Sequence, residues 1–189
     1  LRILTHWKMS YYWYVVSVES VNKKTQVFFR PVNYWVLDVF FLELDEGESY
    51  QILPDGFSYI IRYGNRSNRI DLHRPFTEPL LIQSDFYAQF YIVKCRPTFI
   101  GRLTENNISF IKTHTVIQFL RRLDSKELRS LIPDSLDNIL FYMRIKNGVT
   151  SISELKKRYQ CTSSHITDGF KKTLGLSFRQ YQEILSHIK

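Results

Sequence analysis

Residues 151–181 read SISELKKRYQCTSSHITDGFKKTLGLSFRQY, and the spacing of their apolar residues decides the architecture of the C-terminal quarter. Ser151 followed three residues later by Glu154 has the form of a capping box: the hydroxyl takes an orphan amide at a helix start while the carboxylate reaches back. Ile152, Leu155 and Tyr159 then share one helical face, and Lys156, Lys157 and Arg158 fall largely outside it. Gln160 and Cys161 give a break too small for a domain linker, and Thr162 is placed to N-cap a second helix that runs to about Leu174. Ile166, Phe170 and Leu174 recur four apart as its buried stripe, and Gly175 stands where a left-handed C-cap residue is wanted. Ser163, Ser164, Thr167, Asp168 and Lys171 remain outside.

Two short amphipathic helices joined by a tight turn suit the reading of duplex DNA. In a helix-turn-helix the second helix lies in the major groove, and residues near its N-terminus touch base edges. The stretch TSSHITDGFKKTLGLSFRQY, residues 162–181, resembles the first helix-turn-helix of the AraC/XylS transcription regulators at Thr162, Ile166, Phe170, Lys171, Lys172, Gly175, Ser177 and Tyr181. The resemblance implies a preceding helix with Leu136, Ile139, Leu140 and Met143 on its core face, ending near Asn147 with Gly148 as its cap, and a linker helix from Ser177 onward. It also implies roles. Lys156, Lys157, Arg158, Lys171 and Lys172 supply phosphate attraction, and Ser163, Ser164 and Thr167 the base-edge contacts. The chain departs from the family twice. The family's second helix-turn-helix does not follow within the 189 residues, so the DNA-binding segment is expected to be truncated, and Asp168 stands where family members often carry an arginine. A carboxylate there repels phosphates but can accept from cytosine N4.

Charge agrees with that placement. Residues 144–189 hold nine Lys and Arg against three Asp and Glu, a net of +6, whereas residues 1–143 hold seventeen against fifteen, a net of +2. Most of the +8 of the whole chain therefore sits in its last quarter, the footprint of a segment that displaces counterions from a phosphate backbone.

The first part has a different composition. Aromatic residues, 15% overall, concentrate before residue 100 and favour strands. Segments 11–18, 26–30, 34–44, 57–63, 79–82 and 88–94 are short, aromatic and β-branched, separated by turns at Asp45 to Gly47, Pro54-Asp55-Gly56 and Gly64-Asn65. An antiparallel sheet or small barrel is expected. A helix over Thr115 to Leu123 with Val116, Phe119, Leu120 and Leu123 on one face follows, then a connector. The run YWVLDVFFLELDEGESYQILPDGFSYIIRYGN from Tyr34 to Asn65 resembles the β-rich domain that precedes the DNA-binding part in many AraC-like regulators. IVKCRPTFIGRL, residues 92–103, resembles a later strand of that domain. That implies a sensory or dimerising module with no particular ligand, and the LPDG run reads as a type I turn between strands.

Several function classes lack their signatures. The five histidines show no H-x-H or H-x-x-x-H spacing and no C-x-x-C accompanies them, so no metal site is expected. Cys95 and Cys161 lie in different proposed domains and are expected as reduced thiols. No nucleotide-binding glycine loop is present, and Asp45, Glu46 and Glu48 surround a turn glycine, where solvation is the expectation over catalysis. YYWYVVSV, residues 11–18, is too short for a bilayer span. The chain begins at Leu1 with its first methionine at Met9, consistent with a fragment or with further upstream residues.

The expectation is an α+β protein: a β-rich sensor or dimerisation domain over 1–124, a connector over 125–133, and an all-helical helix-turn-helix segment over 134–189. It binds double-stranded DNA rather than catalysing, needs no cofactor, and resides in the cytoplasm. A small-molecule effector and a homodimer partner are assigned to the first domain, and no membrane. The alternative is a truncated regulator that acts as a protein-interaction module with weak or no DNA binding, followed more distantly by a metal-free cupin-like enzyme.

Overall fold

The structure is a computed structural model that describes residues 14–21, 24–30, 34–64, 69–112, 118 and 134–188. Strands β1 (Tyr14–Val21), β2 (Lys24–Arg30), β3 (Val36–Leu44), β5 (Ser58–Tyr63), β6 (Ile70–His73) and β8 (Ala88–Cys95) form one antiparallel sheet in the order β1-β2-β3-β8-β5-β6. Strands β4 (Ser49–Ile52) and β7 (Leu80–Gln83) pair separately. Helices follow, so the chain is α+β with its antiparallel sheets first.

The apolar residues of the central strands divide between two cores, one on each face of the sheet. Successive side chains of a strand point to opposite faces. Along β5, Ile60 enters one core while Tyr59 and Ile61 enter the other; along β8, Val93 and Cys95 oppose Phe90 and Ile92 in the same way. The Ile60 face is closed by α1 (Phe99–Arg102) and α2 (Glu105–Lys112), which contribute Phe99, Ile100 and Ile111, with Phe99 stacked on Trp35. The Ile61 face is closed by the β4–β7 ribbon through Ile52 and Ile82. Each fully buried aliphatic side chain stabilises the fold by about 1.5–3 kcal/mol.

The helical half consists of α3 (Ser135–Ile145), α4 (Ile152–Tyr159), α5 (Ser163–Gly169), a π-helical turn at Phe170–Leu174 and α6 (Phe178–His187). One core joins them, built from Leu136, Ile139, Leu140, Met143, Leu155, Ile166, Phe170, Leu174, Tyr181, Ile184 and Leu185. The expected stripes of α3 and of the second helix are in it, whereas of Ile152, Leu155 and Tyr159 only Leu155 is fully buried and the other two pack half-buried at its edge. Helix α3 ends two residues earlier than expected, because Asn147 and Gly148 are both left-handed, with φ of 48° and 78°. The Gly148 amide then closes the helix on the Met143 carbonyl.

Several elements differ from the sequence expectation. Strands β4 and β6 and helices α1 and α2 were not foreseen; the two strands have only four residues each, and α1 only four. The run 92–103 is a strand only to Cys95 and becomes helical at Phe99. The α-helical pattern of the second helix stops at Gly169 instead of reaching Leu174, and the wider π turn carries the stripe on, leaving Phe170 and Leu174 buried. The helix expected over 115–123, the connector 125–133, Asn65 and the start of the 11–18 segment lie outside the described residues. Cys95 is buried in the sheet, Cys161 is half-buried in the turn before α5, and both are free thiols.

Among the described residues no helix is long and apolar enough to cross a membrane, and no group of three His, Cys, Asp or Glu could hold a metal ion.

Candidate nucleic-acid interface

Helix α5 is anchored from below and bare above. Ile166 is fully buried, and Phe170 at the start of the π turn packs edge-on against Phe178 and Tyr181, with ring centroids 5.5 and 5.6 Å apart. Its start is fixed by Thr162, whose hydroxyl accepts the His165 amide at 3.1 Å. The turn before it is closed by Gln160 in a left-handed conformation, φ 49°. Ser163, Ser164, Thr167 and Asp168 are all exposed, as are Lys171 and Lys172 on the π turn.

These side chains are not equally available. The Thr167 hydroxyl donates back to the Ser163 and Ser164 carbonyls at 3.1 and 3.3 Å, so it offers a partner only its lone pairs. Asp168 makes no ion pair or hydrogen bond among the described residues. His165, which the sequence reading passed over, lies 2.9 Å through Nε2 from the Ser135 hydroxyl and so braces α5 against the start of α3.

Lys156, Lys157 and Arg158 are exposed on α4 as expected, but Arg158 is engaged: its guanidinium rests over the Tyr142 ring, 4.3 Å from the centroid. The capping box proposed at Ser151 is only half formed. The Ser151 hydroxyl accepts the Glu154 amide at 3.1 Å, but the Glu154 carboxylate accepts the Tyr142 hydroxyl at 2.7 Å instead of returning to the cap. That hydrogen bond holds the Glu154 carboxyl below the usual carboxylate range. The box forms fully at two places not singled out in the sequence, Asp134 with Asp137 on α3 and Ser177 with Gln180 on α6.

Among the described residues, hydrogen bonds and ion pairs tie the β-rich half to this helical unit in three places. At the LPDG turn, Arg144 of α3 donates to the Asp55 carbonyl at 2.7 Å and lies 3.7 Å from the Phe57 ring centroid, and Tyr181 of α6 donates to the Gly56 carbonyl at 3.1 Å. The Asp55 carboxylate organises that turn by accepting the Phe57 amide, the Tyr59 hydroxyl and Lys94 Nζ. Burial pushes the Tyr181 hydroxyl up to about 12, with Arg144 opposing the shift. At the other end of α3, Thr98 donates to Asp137, and Arg102 reaches Asp137 and Asp134 at 2.7 Å each. Third, Arg74 of the β6–β7 loop donates to the Lys172 carbonyl at 3.1 Å. The sequence singles out Tyr181 and Lys172 for the helix-turn-helix and the LPDG run as a turn, but none of these contacts between them. Nothing local to that turn announces partners 89 and 125 residues away.

Comparison with protein-family models, with curated proteins and with solved structures finds no match. The likeness to AraC-type regulators therefore rests on the residues quoted above.

Proposed function

We infer that this protein is a transcription regulator of the AraC-like kind, binding double-stranded DNA through α4 and α5 and acting in the cytoplasm. The observation that carries the reading is α5: a short helix held by Ile166 and Phe170 underneath and presenting Ser163, Ser164, Thr167 and Asp168 outward, in the quarter of the chain with net charge +6. Side chains at the N-terminal end of such a helix reach base edges in the major groove, while Lys156, Lys157, Lys171 and Lys172 attract the phosphates. Arg158 contributes its charge from its seat on Tyr142.

In this reading the protein binds and does not catalyse. The β-rich half serves as an effector-sensing or dimerising module, and its grip on both ends of α3 supplies a rigid path between the two functions. The test is anisotropy titration of the full chain with a randomised duplex pool at several salt concentrations, followed by sequencing of the retained fraction. Salt-dependent binding with an enriched sequence supports the reading, and failure to bind at low salt removes it.

One observation favours the alternative of a protein-interaction module. Phe141 and Ile145, one turn apart on α3, and Val149 just beyond its end are large apolar side chains 57, 61 and 79% exposed, which DNA binding does not need. Binding by the interaction module would survive loss of the exposed lysines and fail on polar replacement of Phe141 and Ile145.

A further inference from the structure

We propose that Arg74, a residue of the β-rich half, is a DNA phosphate contact, and that the surface tracking the phosphodiester backbone spans both halves as a triad of Arg74, Lys171 and Lys172. The proposal rests on the DNA-binding reading above and adds to it a cation from outside the helix-turn-helix.

The geometry is specific. One guanidinium nitrogen of Arg74 donates to the Lys172 carbonyl at 3.1 Å. The rest of the side chain lies along the turn that closes the reading element, so that a Cβ at Gly175 would stand 3.8 Å from Arg74 Cδ. Gly175 itself is left-handed at φ 75° and ends the π turn that carries Lys171 and Lys172. Arg74 is thereby fixed to the backbone of the turn that carries the two lysines, although 98 residues separate it from Lys172 in sequence.

Its remaining donors are uncommitted. A guanidinium presents five N–H donors in a rigid fork, and among the described residues Arg74 makes no other hydrogen bond and no ion pair. Arg74, Lys171 and Lys172 are all exposed, and none of the three has an acidic partner among the described residues. Three exposed cations on one turn and the side chain docked on it, none of them neutralised by a carboxylate among the described residues, suit an anionic partner. A duplex flank supplies successive phosphates, and arginine meets phosphate in paired, charge-assisted hydrogen bonds. Because Arg74 already rests on a backbone carbonyl, little of its side-chain freedom remains to be lost on binding.

The experiment compares wild type, Arg74→Gln and Arg74→Ala in full-length protein, titrated against several duplexes over a range of salt. Glutamine keeps an N–H donor for the Lys172 carbonyl and removes only the charge, whereas alanine removes both. Both variants are expected to bind every duplex more weakly by the same factor, with the log–log salt slope shallower by about one. Arg74→Gln is expected to keep the wild-type melting temperature. If wild type binds with a steep salt slope and Arg74→Gln leaves that slope unchanged, Arg74 only caps the turn and the proposal is overturned while the DNA-binding reading stands. If wild type shows no salt-dependent binding, both fall together.

Discussion

The hydroxyl of Tyr181, on the last helix, donates to the carbonyl of Gly56, in the turn between β4 and β5, across 3.1 Å. This hydrogen bond ties a residue of the helical core to the LPDG turn of the β-rich half, and Arg144 doubles it at the neighbouring carbonyl of Asp55. With Arg102 and Thr98 holding Asp137 at the opposite end, α3 is pinned to the β-rich half at both its termini. A rigid α3 matters because α5 packs on it: Ile166 and Phe170 share a core with Leu136, Ile139, Leu140 and Met143.

Tyr181→Phe keeps the ring and removes the hydrogen bond, and is expected to lower stability by about 0.5–1.5 kcal/mol at neutral pH. The pH dependence is a second signature. The Tyr181 hydroxyl is raised from about 10 unfolded to about 12 folded, mainly by burial. Its neutral form is favoured by folding, so this contribution is complete below pH 10 and is lost as pH rises from 10 toward 12, on the order of 2–3 kcal/mol in all. Denaturation melts across that range should show a shallower alkaline decline for Tyr181→Phe than for wild type. Parallel curves would show that Tyr181 does not hold this burial in solution.

Gly101 tests the docking from another side. A Cβ at this position would overlap the carbonyl oxygen of Thr173 in the π turn, a backbone atom that cannot rotate away. Gly101→Ala is therefore expected to force α1 and the π turn apart and to cost about 1–3 kcal/mol, as overpacking does. Limited proteolysis should show faster cleavage between the halves, while Gly47→Ala, strained at φ 73° but in open space, should not.

The two halves differ in how much of them the sequence discloses, and the difference follows from interaction range. The helical half was readable because its determinants are local. A four-residue spacing put Ile166, Phe170 and Leu174 in the core, and Thr162, Gly148 and Gly175 fell where caps belong. Glu154 departs from the expected capping box because its partner, Tyr142, lies on another helix and outcompetes the local cap. Strand segments are legible from aromatic and β-branched runs; the equally short β7, LLIQ, shows as an apolar run, whereas β4, SYQI, and β6, IDLH, are half polar and do not. Every contact between halves, from Arg74 to Lys172 and from Asp55 to Arg144, joins residues far apart in sequence, which spacing cannot reveal.

Phe170→Ala addresses the support beneath α5. The side chain is fully buried between Phe178 and Tyr181, so truncation leaves a cavity costing about 3–5 kcal/mol. Thermal melts of the full chain should show that loss. A variant as stable as wild type would mean that Phe170 does not carry the packing of α5 on α3 and α6.

Lys171 and Lys172 are exposed, and in the proposed reading they attract phosphates without reading bases. Replacing both by alanine should weaken binding to all duplexes about equally, against a wild-type log–log salt slope near −4 for about four neutralised phosphates. Weakening confined to one duplex would instead assign them to base contacts.

Asp168 is the residue on which chemistry divides most sharply. It is exposed on α5, one position past Thr167, and makes no ion pair among the described residues, so its charge is fully presented to whatever meets this face. Beside a phosphate that charge is repulsive, and Asp168→Asn should tighten binding to every duplex. Opposite a cytosine amino group it accepts a hydrogen bond, and the same change should relax discrimination at one base pair by about 1–3 kcal/mol. The first outcome is expected, because carboxylate readout of cytosine is the rarer pairing and the phosphate backbone dominates the affinity of proteins for duplex DNA. Titrating wild type and Asp168→Asn against a panel of duplexes differing at single positions separates the two. Equal affinities for both proteins on every duplex would show that this face of α5 does not meet DNA, and the exposed apolar side chains of Phe141, Ile145 and Val149 would then become the surface to test.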